Sequence, residues 1–198
     1  MRYDLEIVAG MVGRGQRVLD LGCGDGELLE TLISGQGCEG VGVESDPEGF
    51  HACIGRGVPV TQGDLEKELP ATESDSFDVA VLSLTLQAVR RPDRVLSEMG
   101  RVAKRQIVSL PNFGHWRLRA DLALGGRMPV SDLLPYQWYD TPNIHLCTLA
   151  DFEALVAEAG VGVEKRVLLD GSGRPARGPK AALPNLLAEG AVYSLVSP

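Results

Sequence analysis

Residues 17–32, "RVLDLGCGDGELLETL", constrain the fold more than any other stretch of the chain. Their first five residues form a short apolar run, suited to a strand buried on both faces. Gly22, Gly24 and Gly26 follow at alternate positions, and Leu28, Leu29, Leu32 and Ile33 then recur at helical spacing. A strand that enters a helix through three glycines has a bare backbone at the turn. Such a backbone bends tightly and approaches a ligand with no Cβ in the way. The helix N-terminus just beyond it favours a negative group.

The same alternation continues along the chain. Further strands are predicted at 39–44, 58–64, 77–84 and 105–110, and two last ones at 161–169 and 191–196. Ser45 or Asp46 can cap a helix that has Pro47 in its first turn and Phe50, Cys53 and Ile54 on one face. After Pro92, the residues Val95, Leu96, Met99 and Val102 mark another helix. Thr148 and Asp151 approximate a capping box for a helix over 148–160. Its stripe is Phe152, Leu155, Val156 and Ala159, and Gly160 ends it. Strands alternating with helices imply an α/β, Rossmann-like domain over 1–198, with a mostly parallel sheet covered on both faces. Ligands of such sheets bind outside the carboxyl ends of the strands, beside strand one. Residues 111–147 break the rhythm and hold five of the ten aromatics, Phe113, Trp116, Tyr136, Trp138 and Tyr139. Two readings stand open there: a lid or binding surface, or a small satellite core over the sheet.

Composition narrows the classes of function. A formal charge of −8 argues against a nucleic-acid partner. The local basic group Arg174, Arg177 and Lys180 lies in "GSGRPARGPK" and reads as a solvated loop at 170–180. No apolar stretch approaches the roughly 20 residues that cross a bilayer, and the first residues carry acids with no signal core. A cytoplasmic protein is therefore expected. Cys23, Cys38, Cys53 and Cys147 form no C-x-x-C pair and read as reduced thiols, mostly in the core, with no metal site.

Two ligand classes use a glycine loop of this kind: dinucleotides, through a pyrophosphate, and S-adenosylmethionine, through its methionine carboxylate. The dinucleotide pattern is G-x-G-x-x-G, whereas here Glu27 stands at the place of its third glycine. The observed D-x-G-x-G-x-G, begun by Asp20, favours S-adenosylmethionine or S-adenosylhomocysteine. Glu44 ends the second strand about 20 residues on, where an acid can accept both ribose hydroxyl protons. Asp64, after the third strand, is placed to accept from an adenine amino group. Either acid alone also fits a solvated strand end. The cofactor-side candidates are thus Asp20, Gly22, Cys23, Gly24, Glu44, Ser45, Asp64, Leu65 and Ser83. The arrangement resembles the class I S-adenosylmethionine-dependent methyltransferases, which implies a seven-stranded sheet with an antiparallel C-terminal hairpin.

The stretches "QGDLEKELP", "SFDVAVLSLTLQAV", "PNFGHWRLR", "GRMPVS" and "LPYQWYDTPNIHLCTLADF" resemble the MetW family of methionine biosynthesis proteins more particularly. That resemblance implies association with homoserine O-acyltransferase. Candidates for a base near the strand ends are His115, Tyr139 with its neighbour Asp140, and His145. His145 equally fits a histidine bonding loop backbone, and His51 reads as surface. Gln87 is expected to face an acceptor site. The favoured function is a cofactor-binding accessory subunit; the alternative is a methyltransferase acting on a small polar metabolite. A nucleotide-binding oxidoreductase is disfavoured by the glycine spacing.

Overall fold

A computed structural model describes residues 3–176, 178 and 182–197, so Arg177 and Lys180 lie outside the described residues. The strands are β1 (Arg17–Leu21), β2 (Glu39–Glu44), β3 (Val60–Gln62), β4 (Phe77–Ser83), β5 (Ala103–Pro111), β6 (Gly162–Leu169) and β7 (Gly190–Val196). The helices are α1 (Tyr3–Val12), α2 (Glu27–Gln36), α3 (Pro47–Gly55), α4 (Leu65–Ala71), α5 (Pro92–Val102), α6 (Trp116–Gly125), α7 (Leu149–Glu158) and α8 (Pro184–Leu187). A short 3₁₀ turn spans Leu86–Ala88.

All seven strands form one sheet in the order β3-β2-β1-β4-β5-β7-β6. The first five pair in parallel, whereas β7 runs antiparallel between β5 and β6. The chain runs outward from β1 through β2 to β3, then returns to add β4 on the other side of β1. That reversal opens a crevice at the carboxyl ends of β1 and β4, where ligands of open α/β sheets bind.

Strand periodicity sorts the apolar residues onto two faces. Val18, Val79 and Val81 join the cluster formed with α1, α2 and Cys53 of α3. Leu19, Leu21, Ala80 and Leu82 join the opposite cluster, formed with α5 and α7. Helices therefore cover both faces, and the mostly parallel sheet with its antiparallel C-terminal pair agrees with the sequence reading. The edges differ from it. β3 is only three residues long because Asp64 leaves the strand to cap α4, its side chain accepting from the Glu66 amide. β5 runs longer than expected at both ends, since β4 pairs with it at Ala103 and β7 at Pro111. The outer strand β6 is largely exposed and carries Glu164, Lys165 and Arg166, charges that blunt an open edge.

Two stripe residues are misplaced by the sequence reading. Ile54 is exposed rather than packed with Cys53, one residue before the end of α3. Ala159 is exposed as the C-cap of α7, already outside the helix. The capping box of Thr148 and Asp151 is present as expected, and Asp46 rather than Ser45 caps α3. Helices α1, α4, α6 and α8 were not anticipated.

On the α7 face, the Phe152 ring lies 4.8 Å from that of Tyr193, and both residues are fully buried. Phe152→Ala should lower unfolding free energy by about 3–5 kcal/mol through lost transfer energy and the cavity left behind. Urea unfolding followed by circular dichroism measures this, and a change below about 1 kcal/mol would contradict the packing described.

Candidate functional site

The glycine loop after β1 is held from several sides. Val43 of β2 accepts from the Gly22 and Cys23 amides at 2.8 and 3.2 Å. Glu44, at the end of β2, accepts from the Gly24 amide at 2.7 Å through one oxygen and from the Asp46 amide at 2.8 Å through the other. From α3, the Cys53 thiol donates to the Gly24 carbonyl at 3.3 Å. Gly49 makes this closeness possible, since a Cβ there would lie 2.9 Å from the Gly24 carbonyl oxygen. All three loop glycines sit at positive φ, the conformation that side chains rarely adopt.

Two cavities border this loop. The larger, about 1020 Å³, is lined by Gly22, Glu44, Ser45, Asp64 and Leu65 on the β1–β3 side, and by Leu84, Thr85 and Gln87 after β4. Its far wall includes Tyr3 and Asp4 of α1, Asp132 and Tyr136 from the segment after α6, and Gly171–Gly173 from the β6–β7 connection. The smaller cavity, about 470 Å³, lies behind the loop and includes Asp20, Cys23, Gly24, Glu27 and Ser83. Gly22, Leu84 and Thr85 line both. All nine cofactor-side candidates thus border one cavity or the other.

The donors and acceptors suit an adenosyl amino acid. Each Glu44 oxygen has one backbone partner, and a carboxylate offers about four lone-pair positions, so two remain for a ribose diol. At Gly24 an added Cβ would meet nothing within 4 Å, which leaves backbone facing open space. Asp20 and Glu27 could face an ammonium, and the N-terminal amides of α2 could face a carboxylate. Asp64 is less committed to a ligand than expected: one oxygen accepts from the Glu66 amide, and the other lies 3.8 Å from Lys67. Ser83 shares its hydroxyl with Ser109 at 3.0 Å.

The three base candidates are not brought together. His115 is buried beside the Trp116 ring, Tyr139 stands out from the surface, and neither borders these two cavities. His145 is exposed, its Nε2 3.3 Å from the Arg90 carbonyl, which is the loop-bonding role its sequence position also allowed. Of the aromatics between 113 and 139, Tyr136 reaches the larger cavity, whereas Phe113, Trp116, Trp138 and Tyr139 do not.

Several lining residues escaped the sequence reading. Leu84 adopts φ 50 directly after β4, a left-handed backbone uncommon outside glycine. Its amide is held by both Ser109 oxygens, and its carbonyl accepts from Gln87 Nε2 at 2.6 Å. Gln87 lines the cavity, as its position after β4 suggested, and its Oε1 is buried with no donor among the described residues. The loop at 170–180 is not wholly solvated. Gly171–Gly173 form cavity wall, and Arg174 packs over the Tyr3 ring, 4.1 Å from its centroid, while bonding the Tyr3 hydroxyl. Arg174 was legible as a charge, but its aromatic partner lies at the other end of the chain.

Comparison with known proteins identifies the relatives of this arrangement. The family described as "Methionine biosynthesis protein MetW" matches residues 2–195. The chain belongs to the MetW family. A bifunctional methionine biosynthesis protein MetXA/MetW of Rhodopirellula baltica is 35% identical over 179 residues, which cover 86% of this chain and 29% of that protein. The chain therefore spans less than a third of that relative. Solved structures share the fold at low identity. An S-adenosylmethionine-dependent methyltransferase from Mesorhizobium loti superposes with a TM-score of 0.69 at 18% identity, over 98% of this chain and 95% of that one. The [4+2]-cyclase SpnF superposes at 0.66 with 17% identity, over 98% of this chain and 80% of its own.

The cysteines of this MetW-family chain give a check on the site's packing. Cys23 and Cys53 place their sulfurs 3.7 Å apart behind the loop, and burial pushes both thiols upward, with Asp20 and Glu44 adding to the shift. Burial and the nearby Asp151 carboxylate push Cys147 up to about 11. Thiolate is the reactive form, so all three should resist iodoacetamide in the native protein at neutral pH and react readily in denaturant. Mass spectrometry of digested protein reads this by residue. Rapid native labelling of Cys23 or Cys53 would show that the loop is more open than described.

Proposed function

We propose that the chain is an S-adenosylmethionine-binding accessory subunit that acts with homoserine O-acyltransferase in methionine biosynthesis. The observation that carries this reading is the match to a relative whose name joins MetXA to MetW. In it we take the MetXA part for the acyltransferase. A protein fused in one organism to a second activity commonly works beside that activity where the two are separate chains.

The site supports the cofactor half. Glu44 would accept the ribose hydroxyl protons, Asp64 and Leu65 would border the adenine, and the loop at Gly22–Gly24 would follow the amino-acid tail with Asp20 behind it. When bound, S-adenosylmethionine supplies a methyl group activated by its sulfonium. The chain's own residues orient it and exclude water; segment 132–143 would cover the acceptor side of the cavity. None of His115, Tyr139 and His145 borders that cavity, so none of the three is placed to serve as a base for an acceptor there.

Two measurements test the proposal. Glu44→Ala should weaken S-adenosylhomocysteine binding at least tenfold by calorimetry, since a hydrogen bond to a charged group contributes about 1.5–3 kcal/mol. Unchanged affinity with a cooperative melt would remove Glu44 from the site. Separately, the purified chain should co-elute with homoserine O-acyltransferase and change its rate, with the change depending on added S-adenosylmethionine. An acyltransferase that neither binds the chain nor responds to it would overturn the accessory role.

A further inference from the structure

We infer that α6 and the turn after it form the docking face for the acyltransferase, an inference that rests on the partnership proposed above. Helix α6 buries only Leu118 of its ten residues. Helices this short are marginal in water on their own, and in proteins they persist by packing an apolar face. Here the apolar residues point outward instead: Trp116 is 48% exposed and Leu124 89%, the highest value among the exposed large hydrophobics. Met128, just past the helix, is 41% exposed. Leu124 and Met128 line one open groove of about 360 Å³ together with Ala120 and Pro129, rimmed by Asp121 and Arg127. Exposed apolar side chains gathered in one groove with a polar rim are the pattern of an interaction site.

Charge selects the occupant. The chain carries −8 overall, yet residues 116–128 hold Arg117, Arg119 and Arg127 against Asp121 alone. A second copy laid α6 against α6 would set arginines against arginines, which is repulsive. The fitting surface is apolar at its centre with carboxylates around it. The fused relative supplies a candidate of the right kind, because more than two thirds of its length lies outside the match to this chain. Arg117 already lies over the Trp116 ring, 5.5 Å from its centroid, so the pair presents a flat aromatic surface with a cation attached. Trp and Arg are the residue types that anchor interfaces most often.

The test compares Leu124→Glu with Ile54→Glu, both at exposed positions and both adding one negative charge to the acidic chain. Each is titrated against purified homoserine O-acyltransferase by calorimetry, with sedimentation of the chain alone and S-adenosylhomocysteine binding as controls. Leu124→Glu should weaken the complex at least tenfold and leave nucleoside binding unchanged, and Ile54→Glu should alter neither. If wild type binds and Leu124→Glu binds equally well, the docking face is wrong while the partnership stands. Equal losses in both variants would reduce the effect to net charge and overturn the inference. Wild type that sediments as a dimer, and as a monomer once Leu124→Glu is introduced, would assign the groove to a second copy. No binding by wild type would remove the partnership and the docking face together.

Discussion

Glu44 is the hinge of the site. Its carboxylate joins the end of β2 to the glycine loop through Gly24 and to the entry of α3 through Asp46. It is 8% exposed, so these charge-assisted bonds form in partly desolvated surroundings, where they are stronger than in water. The loop's shape in turn depends on them, since three residues at positive φ supply no side-chain packing of their own. One acid thus fixes the backbone geometry and keeps lone pairs directed at the cavity. Under the proposed function, removing it would withdraw a ligand contact and loosen the loop at once, which is why the affinity test needs a melt beside it.

The centre of the sheet was readable from the sequence because strands such as β1 and β4 are buried along most of their length and stand out as apolar runs. β1, β2 and β4 fall within a residue of where those runs end. Readability fell away where structure is set by tertiary contact. β3 is short because Asp64 caps α4, and a capping acid looks the same as a ligand-facing acid in one dimension. Leu84 takes a left-handed backbone that no residue type announces. Tyr3 and Arg174 stack across 171 residues of sequence, so neither predicts the other. The positions of the base candidates were equally illegible. His115 is buried between β5 and α6, whereas Tyr139 follows the cavity residue Tyr136 by three positions and yet stands out in solvent.

Fold alone leaves the chemistry open. The same architecture superposes on an S-adenosylmethionine-dependent methyltransferase and on a [4+2]-cyclase, two different reactions on one scaffold. The cavity wall in this chain is contributed after β4, by the segment before α7, and by the β6–β7 connection. In this chain that wall holds Leu84, Gln87, Tyr136 and Gly171–Gly173. Acids are the charged side chains among its described residues, Asp4 and Asp132 included. A cavity so lined suits cationic or hydroxyl-rich ligands and disfavours anions such as phosphates.

The proposed docking face and a wall of the larger cavity lie on one continuous segment. Chain leaving α6 passes Met128 in the outer groove and reaches Asp132 and Tyr136 in the cavity wall within eight residues. Ile144 and His145 then return their amides to the Gln87 carbonyl, at 2.9 and 3.0 Å, which ties the far end of the segment to the turn after β4. If the proposed partner sits on α6 and the proposed ligand on the cavity wall, this segment is the physical connection through which one could influence the other. Coupling of this kind is reciprocal: if cofactor tightens the complex by some factor, the acyltransferase must tighten cofactor by the same factor. That equality distinguishes a sensor from a scaffold, since a chain that merely bridges its partner and a ligand would bind each with an affinity indifferent to the other.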